Sequence, residues 1–261
     1  MDTLELGLKG KVAIITGGSE GLGRATVERF ARSGAKIAMC ARRADVLDAA
    51  AKEIQKATGA DILAMPTDVT KQDQCEKLVS AVIGRWGGVD VLLNNAGTSQ
   101  AQGFMDVTDE TWQYDFDLKV MGAVRMCRLA IPSMKSRGGG AIINVTTIGG
   151  KAPAPKALPT SLTRAAGINL TKSLAKEYAA EQIRVNTICL GQVKSAQWTR
   201  RAKGGDIDAF YAQMAKDRGI PLGRLGEAEE FADLVAFLAS ERARWITGTA
   251  INFDGGAAAV V

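Results

Sequence analysis

A short apolar run, KVAIIT at residues 11–16, passes directly into Gly17-Gly18-Ser19-Glu20-Gly21-Leu22-Gly23 and then into an amphipathic segment reaching about Ser33. Glycines at such a junction permit a tight reversal and a close backbone approach. Free N–H groups at the start of the following helix form an anion site. A buried strand that leaves through a turn into a helix needs a crossover before the next strand, which implies a parallel sheet covered by helices. The alternation continues along the chain. Further strands are predicted at residues 36–41, 61–65, 89–94, 140–145, 183–189 and 249–253. Helices are predicted at 45–58, 70–85 with Thr70 as N-cap, 109–135, 159–180 and 227–240. No repeat, low-complexity tract or linker interrupts the pattern, so residues 1–261 read as one α/β domain. Residues 195–221 form a long stretch without strand character after a strand's carboxyl end, which makes them the expected substrate lid.

Composition removes several kinds of chemistry. The chain has no histidine, which excludes Ser-His-Asp and Cys-His relays and histidine zinc sites, so no metal is expected. Cys40, Cys75, Cys127 and Cys189 are scattered without CxxC spacing and read as buried thiols in a reducing compartment. Net charge is 33 − 28 = +5, with no long Lys/Arg run and no basic patch interleaved with aromatics. Nucleic acid is therefore not an expected partner. No apolar stretch reaches the about 20 residues of a membrane span, and Met1 to Gly10 lacks the apolar core of a secretory leader. The expectation is a cytoplasmic protein acting on a small molecule.

Four motifs in order then carry a resemblance. TGGSEGLG at residues 16–23 has the spacing Gly-x-x-x-Gly-x-Gly, Asp68-Val69 follows the third strand, and Asn94-Asn95-Ala96-Gly97 follows the fourth. The fourth motif is residues 223–256, from GRLGEAEEF to FDGG. From about Leu8 to Gly256 the chain resembles the short-chain dehydrogenase/reductase family, and within it members of the 3-oxoacyl-carrier-protein-reductase type. The resemblance implies a Rossmann-type, doubly wound parallel sheet of about seven strands with helices on both faces. It also implies a nicotinamide cofactor and a homo-oligomer, tetramer or dimer. Carried over residue by residue, it places the cofactor on Gly17, Ser19, Glu20, Gly21, Leu22, Gly23, Asp68, Val69, Asn95, Ala96, Gly97, Arg164, Gly191 and Val193.

A dinucleotide site generally carries an acid about 20 residues beyond the turn for a ribose 2′-OH, or an Arg for a 2′-phosphate. Here the second strand ends Cys40-Ala41-Arg42-Arg43. A guanidinium makes bidentate contact to phosphate, so NADP(H) is favoured over NAD(H), with Arg42 as the contact. Glu20 opposes this choice, because a carboxylate near a 2′-phosphate costs binding.

The family's catalytic Asn, Ser, Tyr and Lys are all replaced. Matched to the family pattern residue by residue, the resemblance puts Asp117 at the Asn, Thr147 at the Ser, and Thr160 and Arg164 at the Tyr and Lys. A phenol can be pulled toward neutral pKa by a neighbouring ammonium, whereas a threonine hydroxyl does not ionise usefully and an arginine stays protonated. Losing a positioned acid typically forfeits about 10²–10⁴-fold in rate. Asp117 could act as a base, and Thr147 with Arg164 could stabilise an oxyanion. Tyr114 and Tyr178 fall on helices. Tyr211 falls on the lid, where it could supply a proton, but Phe210 and Met214 make it read more readily as part of an apolar helix face. Lys156 reads as a solvated loop lysine. Trp198, Phe210, Tyr211 and Met214 suggest an apolar substrate body, and Arg200, Arg201 and Lys203 an acidic tail.

Three functions fit these residues. One is an oxidoreductase acting on a carbonyl/alcohol pair through a non-standard site. Another is a non-redox lyase, dehydratase or isomerase in the same pocket. The third is a cofactor-binding protein without chemistry of its own.

Overall fold

The computed structural model describes residues 5–195 and 206–261. Its strands are β1 (Val12–Thr16), β2 (Lys36–Ala41), β3 (Ile62–Pro66), β4 (Val91–Asn94), β5 (Gly140–Thr147), β6 (Ile183–Leu190) and β7 (Ala250–Phe253). The helices are α1 (Gly21–Arg32), α2 (Ala44–Thr58), α3 (Gln72–Trp86), α4 (Asp109–Phe116), α5 (Gly122–Ser136), α6 (Thr160–Glu177), α7 (Ile207–Asp217) and α8 (Ala228–Ala239). The strands form one parallel sheet in the order β3-β2-β1-β4-β5-β6-β7. Most boundaries lie within about two residues of those read from the sequence.

The strands are apolar on both faces because both faces are covered. Ala13, Ile15, Ile37, Met39 and Leu93 pack with side chains of α1, α2 and α8. Val12, Ile14, Ala38, Cys40 and Leu92 point the other way and pack with α3 and α5. All four cysteines are buried free thiols, and burial pushes Cys40 and Cys127 up to about 12. Among the described residues, no helix is long and apolar enough to cross a membrane.

Three local features differ from the sequence expectation. Thr70 does not cap α3, which starts at Gln72 after Lys71. Its hydroxyl and N–H both donate to Asp68 Oδ1, at 2.9 and 3.0 Å, so the neighbouring carboxylate takes the hydroxyl first. The segment predicted as one helix over 109–135 contains a π-helical turn, Asp117–Met121, between α4 and α5. Such a turn inserts a residue and rotates the side chains that follow, and here Leu118, Lys119 and Val120 become buried. Of the expected lid, residues 196–205 lie outside the described residues, including Trp198, Arg200, Arg201 and Lys203. Its later part holds α7, capped by Asp206, whose carboxylate accepts from the N–H groups of Asp208 and Ala209 at 3.0 and 3.1 Å.

The strand order reverses between β1 and β4. Ligand crevices in such sheets open at the carboxyl ends of the strands flanking that point.

Candidate active site

Thr16, the last residue of β1, joins the two motifs at the switch point. Its hydroxyl accepts from the N–H groups of Asn95 and Ala96 at 2.9 and 3.0 Å and donates to Leu93 O at 3.2 Å. Asn95 Nδ2 donates to the carbonyls of Thr16 and Gly17, at 3.0 and 3.2 Å. The turn is too tight for side chains. Gly17 has φ +67°, and a Cβ on Gly23 would lie 2.0 Å from Gly17 O.

A cleft of about 710 Å³ runs from this turn across the ends of β2, β4, β5 and β6. It is lined by Gly17, Ser19, Glu20, Gly21, Leu22, Arg42, Asp68, Val69, Asn95, Ala96, Gly97, Gly191 and Val193, together with Thr147, Thr160 and Arg164. Of the residues assigned from the sequence to the cofactor or to catalysis, Gly23 and Asp117 are not among its lining. Gly23 packs beneath the turn. Asp117 Oδ1 instead accepts from Arg125 Nη2 at 2.6 Å, which leaves the base role suggested for it without geometric support.

At the nucleotide end, Arg43 pairs with Glu20 across the mouth of the cleft. Arg42 Nη1 donates to Tyr114 Oη at 3.0 Å. The carboxylate that argued against a 2′-phosphate thus has a guanidinium partner of its own.

At the other end Thr160, the first residue of α6, meets the π turn. Its Oγ1 accepts from Lys119 Nζ at 3.0 Å and from the Gln100 N–H at 2.9 Å. The loop carrying Gln100 is held to the segment before α6 by Gln102 and Leu158, whose backbones exchange hydrogen bonds of 2.7 and 3.3 Å. Lys119 is 6% exposed and forms an ion pair with Asp115, which is 0% exposed. Thr163 Oγ1 donates to Asp115 Oδ2 at 2.7 Å. Burial, then the charge of Arg164, lowers Lys119 from 10.5 to about 8 against the opposing pull of Asp115.

Arg164, one turn along α6, donates from Nη1 to Val145 O at 2.6 Å, and its buried Nε has no partner among the described residues. Burial lowers this guanidinium from 12.5 to about 10, with Asp115 opposing. A Cβ on Gly97 would sit 2.6 Å from Arg164 Nη2, so the last residue of the Asn-Asn-Ala-Gly motif leaves room for the guanidinium.

Sequence reasoning missed Lys119, Asp115, Gln100 and the Arg42–Tyr114 contact. The one available signal was an Asp–Lys pair four residues apart beside the aligned Asn position. Tyr211 packs in a small cluster with Ala215, Ile220 and Leu225, flanked by Phe210 and Met214, with Lys194 Nζ 5.5 Å from its ring centroid. Lys156 is exposed.

A doubly wound parallel sheet with a glycine turn at β1 and a crevice at its switch point defines the Rossmann-type α/β class. Within it, the chain belongs to the short-chain dehydrogenase/reductase family of oxidoreductases. Residues 17–258 match the family model described as enoyl-(acyl carrier protein) reductase. The chain is 35% identical over 255 residues to dehydrogenase/reductase SDR family member 4 of Oryctolagus cuniculus, covering 96% of this chain and 94% of that one. L-sorbose reductase from Gluconobacter frateurii, solved with NADPH and L-sorbose, superimposes with a TM-score of 0.95 at 37% identity, covering 99% of this chain and 100% of that one. An NADPH-bound short-chain oxidoreductase from Pseudomonas aeruginosa PAO1, described as containing an atypical catalytic center, gives a TM-score of 0.91 at 37% identity. That alignment covers 96% of this chain and 98% of the other.

Proposed function

We propose that the protein is an NADP(H)-dependent oxidoreductase that interconverts a carbonyl and an alcohol on a small molecule. Its proton-donating centre is built from Thr160, Lys119, Thr147 and Arg164. One observation carries this reading. Both lone pairs of the Thr160 hydroxyl are taken, by the Lys119 ammonium and the Gln100 N–H. Its own proton therefore points elsewhere, and Thr160 lines the same cleft as the glycine turn.

The chain's groups fit a dinucleotide. Backbone at the glycine turn is open where side chains would intrude, and the Arg164 Nε is a buried donor with no protein acceptor among the described residues. The glycine turn would take the pyrophosphate, Asp68 and Val69 the adenine side, and Arg42 a 2′-phosphate. Preference for NADP(H) rests on Arg42, on the pairing of Glu20 with Arg43, and on the NADPH found in the two similar structures. The bound nicotinamide supplies or accepts the hydride.

In reduction, the Thr160 O–H donates to the carbonyl oxygen as negative charge develops on it. Lys119, already hydrogen-bonded to Thr160 Oγ1, replaces the proton that the hydroxyl gives up. Oxidation runs the same relay backwards. A group near 8 suits both directions at neutral pH. Thr147, at the end of β5, supplies a second hydroxyl, and Arg164 contributes fixed positive charge.

The chain is read as one cytoplasmic domain that assembles as a homo-oligomer. The test of function is NADPH consumption against a panel of ketones and aldehydes, with alcohol product identified. Tight NADPH binding without turnover on any of them overturns the oxidoreductase reading.

A further inference from the structure

We infer that Tyr114 is a positioning residue for recognition of the cofactor's 2′-phosphate, acting through Arg42. The inference rests on the oxidoreductase reading above and deepens it at the nucleotide end of the cleft.

Arg42 is exposed at the end of β2, where a long, unrestrained side chain would sample many rotamers. Tyr114 removes that freedom. Its ring packs against the core cluster shared with α3 and α5, so its hydroxyl is held beside Arg42, which lines the cleft. There it accepts from Arg42 Nη1 at 3.0 Å across 72 residues of sequence. A guanidinium has five N–H donors, so one such contact fixes its direction and leaves the fork available to a phosphate.

The type of acceptor matters as much as its position. A phenol orients the guanidinium without neutralising it. Arg43 shows the contrast, because its partner is the carboxylate of Glu20, which competes with any phosphate. Of the two arginines, Arg42 is therefore the one presented without a carboxylate partner among the described residues. The next residue, Asp115, holds Lys119. One turn of α4 thus steadies the phosphate-binding arm with one residue and the proton relay with the next.

The test is dinucleotide affinity rather than turnover. NADPH and NADH are titrated by calorimetry into the wild-type chain, Tyr114→Phe, Arg42→Ala and the double variant. Phe keeps the ring and its packing and removes only the acceptor. The expected result is an NADPH affinity about three- to tenfold weaker in Tyr114→Phe, with NADH unchanged. In the Arg42→Ala background the same substitution is expected to have no further effect. Equal losses for both dinucleotides, a loss that persists without Arg42, or unchanged NADPH affinity each overturn this inference alone. A wild-type chain that binds neither dinucleotide overturns the oxidoreductase reading and this inference with it.

Discussion

Lys119 Nζ donates to Thr160 Oγ1 at 3.0 Å, linking a π-helical turn to the first residue of α6 across 41 residues. The hydroxyl and the ammonium come from two separate elements, Thr160 opening α6 and Lys119 lying inside the π turn.

In the proposed relay the Thr160 hydroxyl is the proton donor. Thr160→Val keeps the shape but deletes the donor and leaves Lys119 and the Gln100 N–H facing a methyl group. Carbonyl reduction is expected to fall by about 10²-fold or more, with NADPH affinity preserved. Thr160→Ser is expected to retain most of the rate. Steady-state kinetics of both variants decide it, and a fully active Thr160→Val enzyme would remove the relay.

The lowered Lys119 predicts a pH dependence. In the proposed relay reduction uses the ammonium, so its rate should fall as pH rises through about 8, while alcohol oxidation should rise over the same range. Stability follows the same linkage with a defined sign. Lys119 is depressed to about 8 from 10.5, so between these values the unfolded chain holds a proton that the native state has lost. Its contribution to stability therefore rises with pH across that window and is flat below it. A reduction rate that stays flat through this range would exclude Lys119 as the proton source.

Lys119→Met should separate two effects. Removing the cation leaves the Asp115 carboxylate buried with Thr163 Oγ1 as a remaining partner. Stripping one member of a buried ion pair typically costs about 3–5 kcal/mol. Pairing the change with Asp115→Asn should recover much of that stability and none of the activity. Urea unfolding and NADPH turnover, measured together, test both halves.

Gly23→Ala should damage the nucleotide turn itself. A Cβ there would stand 2.0 Å from Gly17 O and 2.7 Å from Asn95 Nδ2, groups that cannot yield without opening the β1–β4 junction. Loss of dinucleotide binding together with a lower melting temperature is expected. Gly59→Ala, at a φ of +69° with nothing within 4 Å, should lower stability through backbone strain alone and leave binding intact. Thermal melts and NADPH titrations of the two variants distinguish these outcomes.

The sequence by itself determined the sheet, its strands and its nucleotide turn. Apolar runs such as Val12–Thr16 are buried whichever way they alternate, and glycines are needed wherever the backbone turns or closes on itself, so both leave a direct trace in residue type. Thr147, Thr160 and Arg164, singled out by their spacing, all line the cleft. The partners of those residues were decided only by the tertiary structure. Asp117 reads from the sequence either as a base or as a paired carboxylate, and it pairs with Arg125, while Lys119, two residues on, is the group buried against Thr160. Asp117 and Lys119 both lie in the π turn, and no propensity of Asp117–Met121 announces it. The Arg42–Tyr114 contact likewise joins β2 to α4 only after the sheet is assembled. Residue type and spacing report local backbone needs, whereas the direction of a side chain and the desolvation that lowers Lys119 depend on what packs around it.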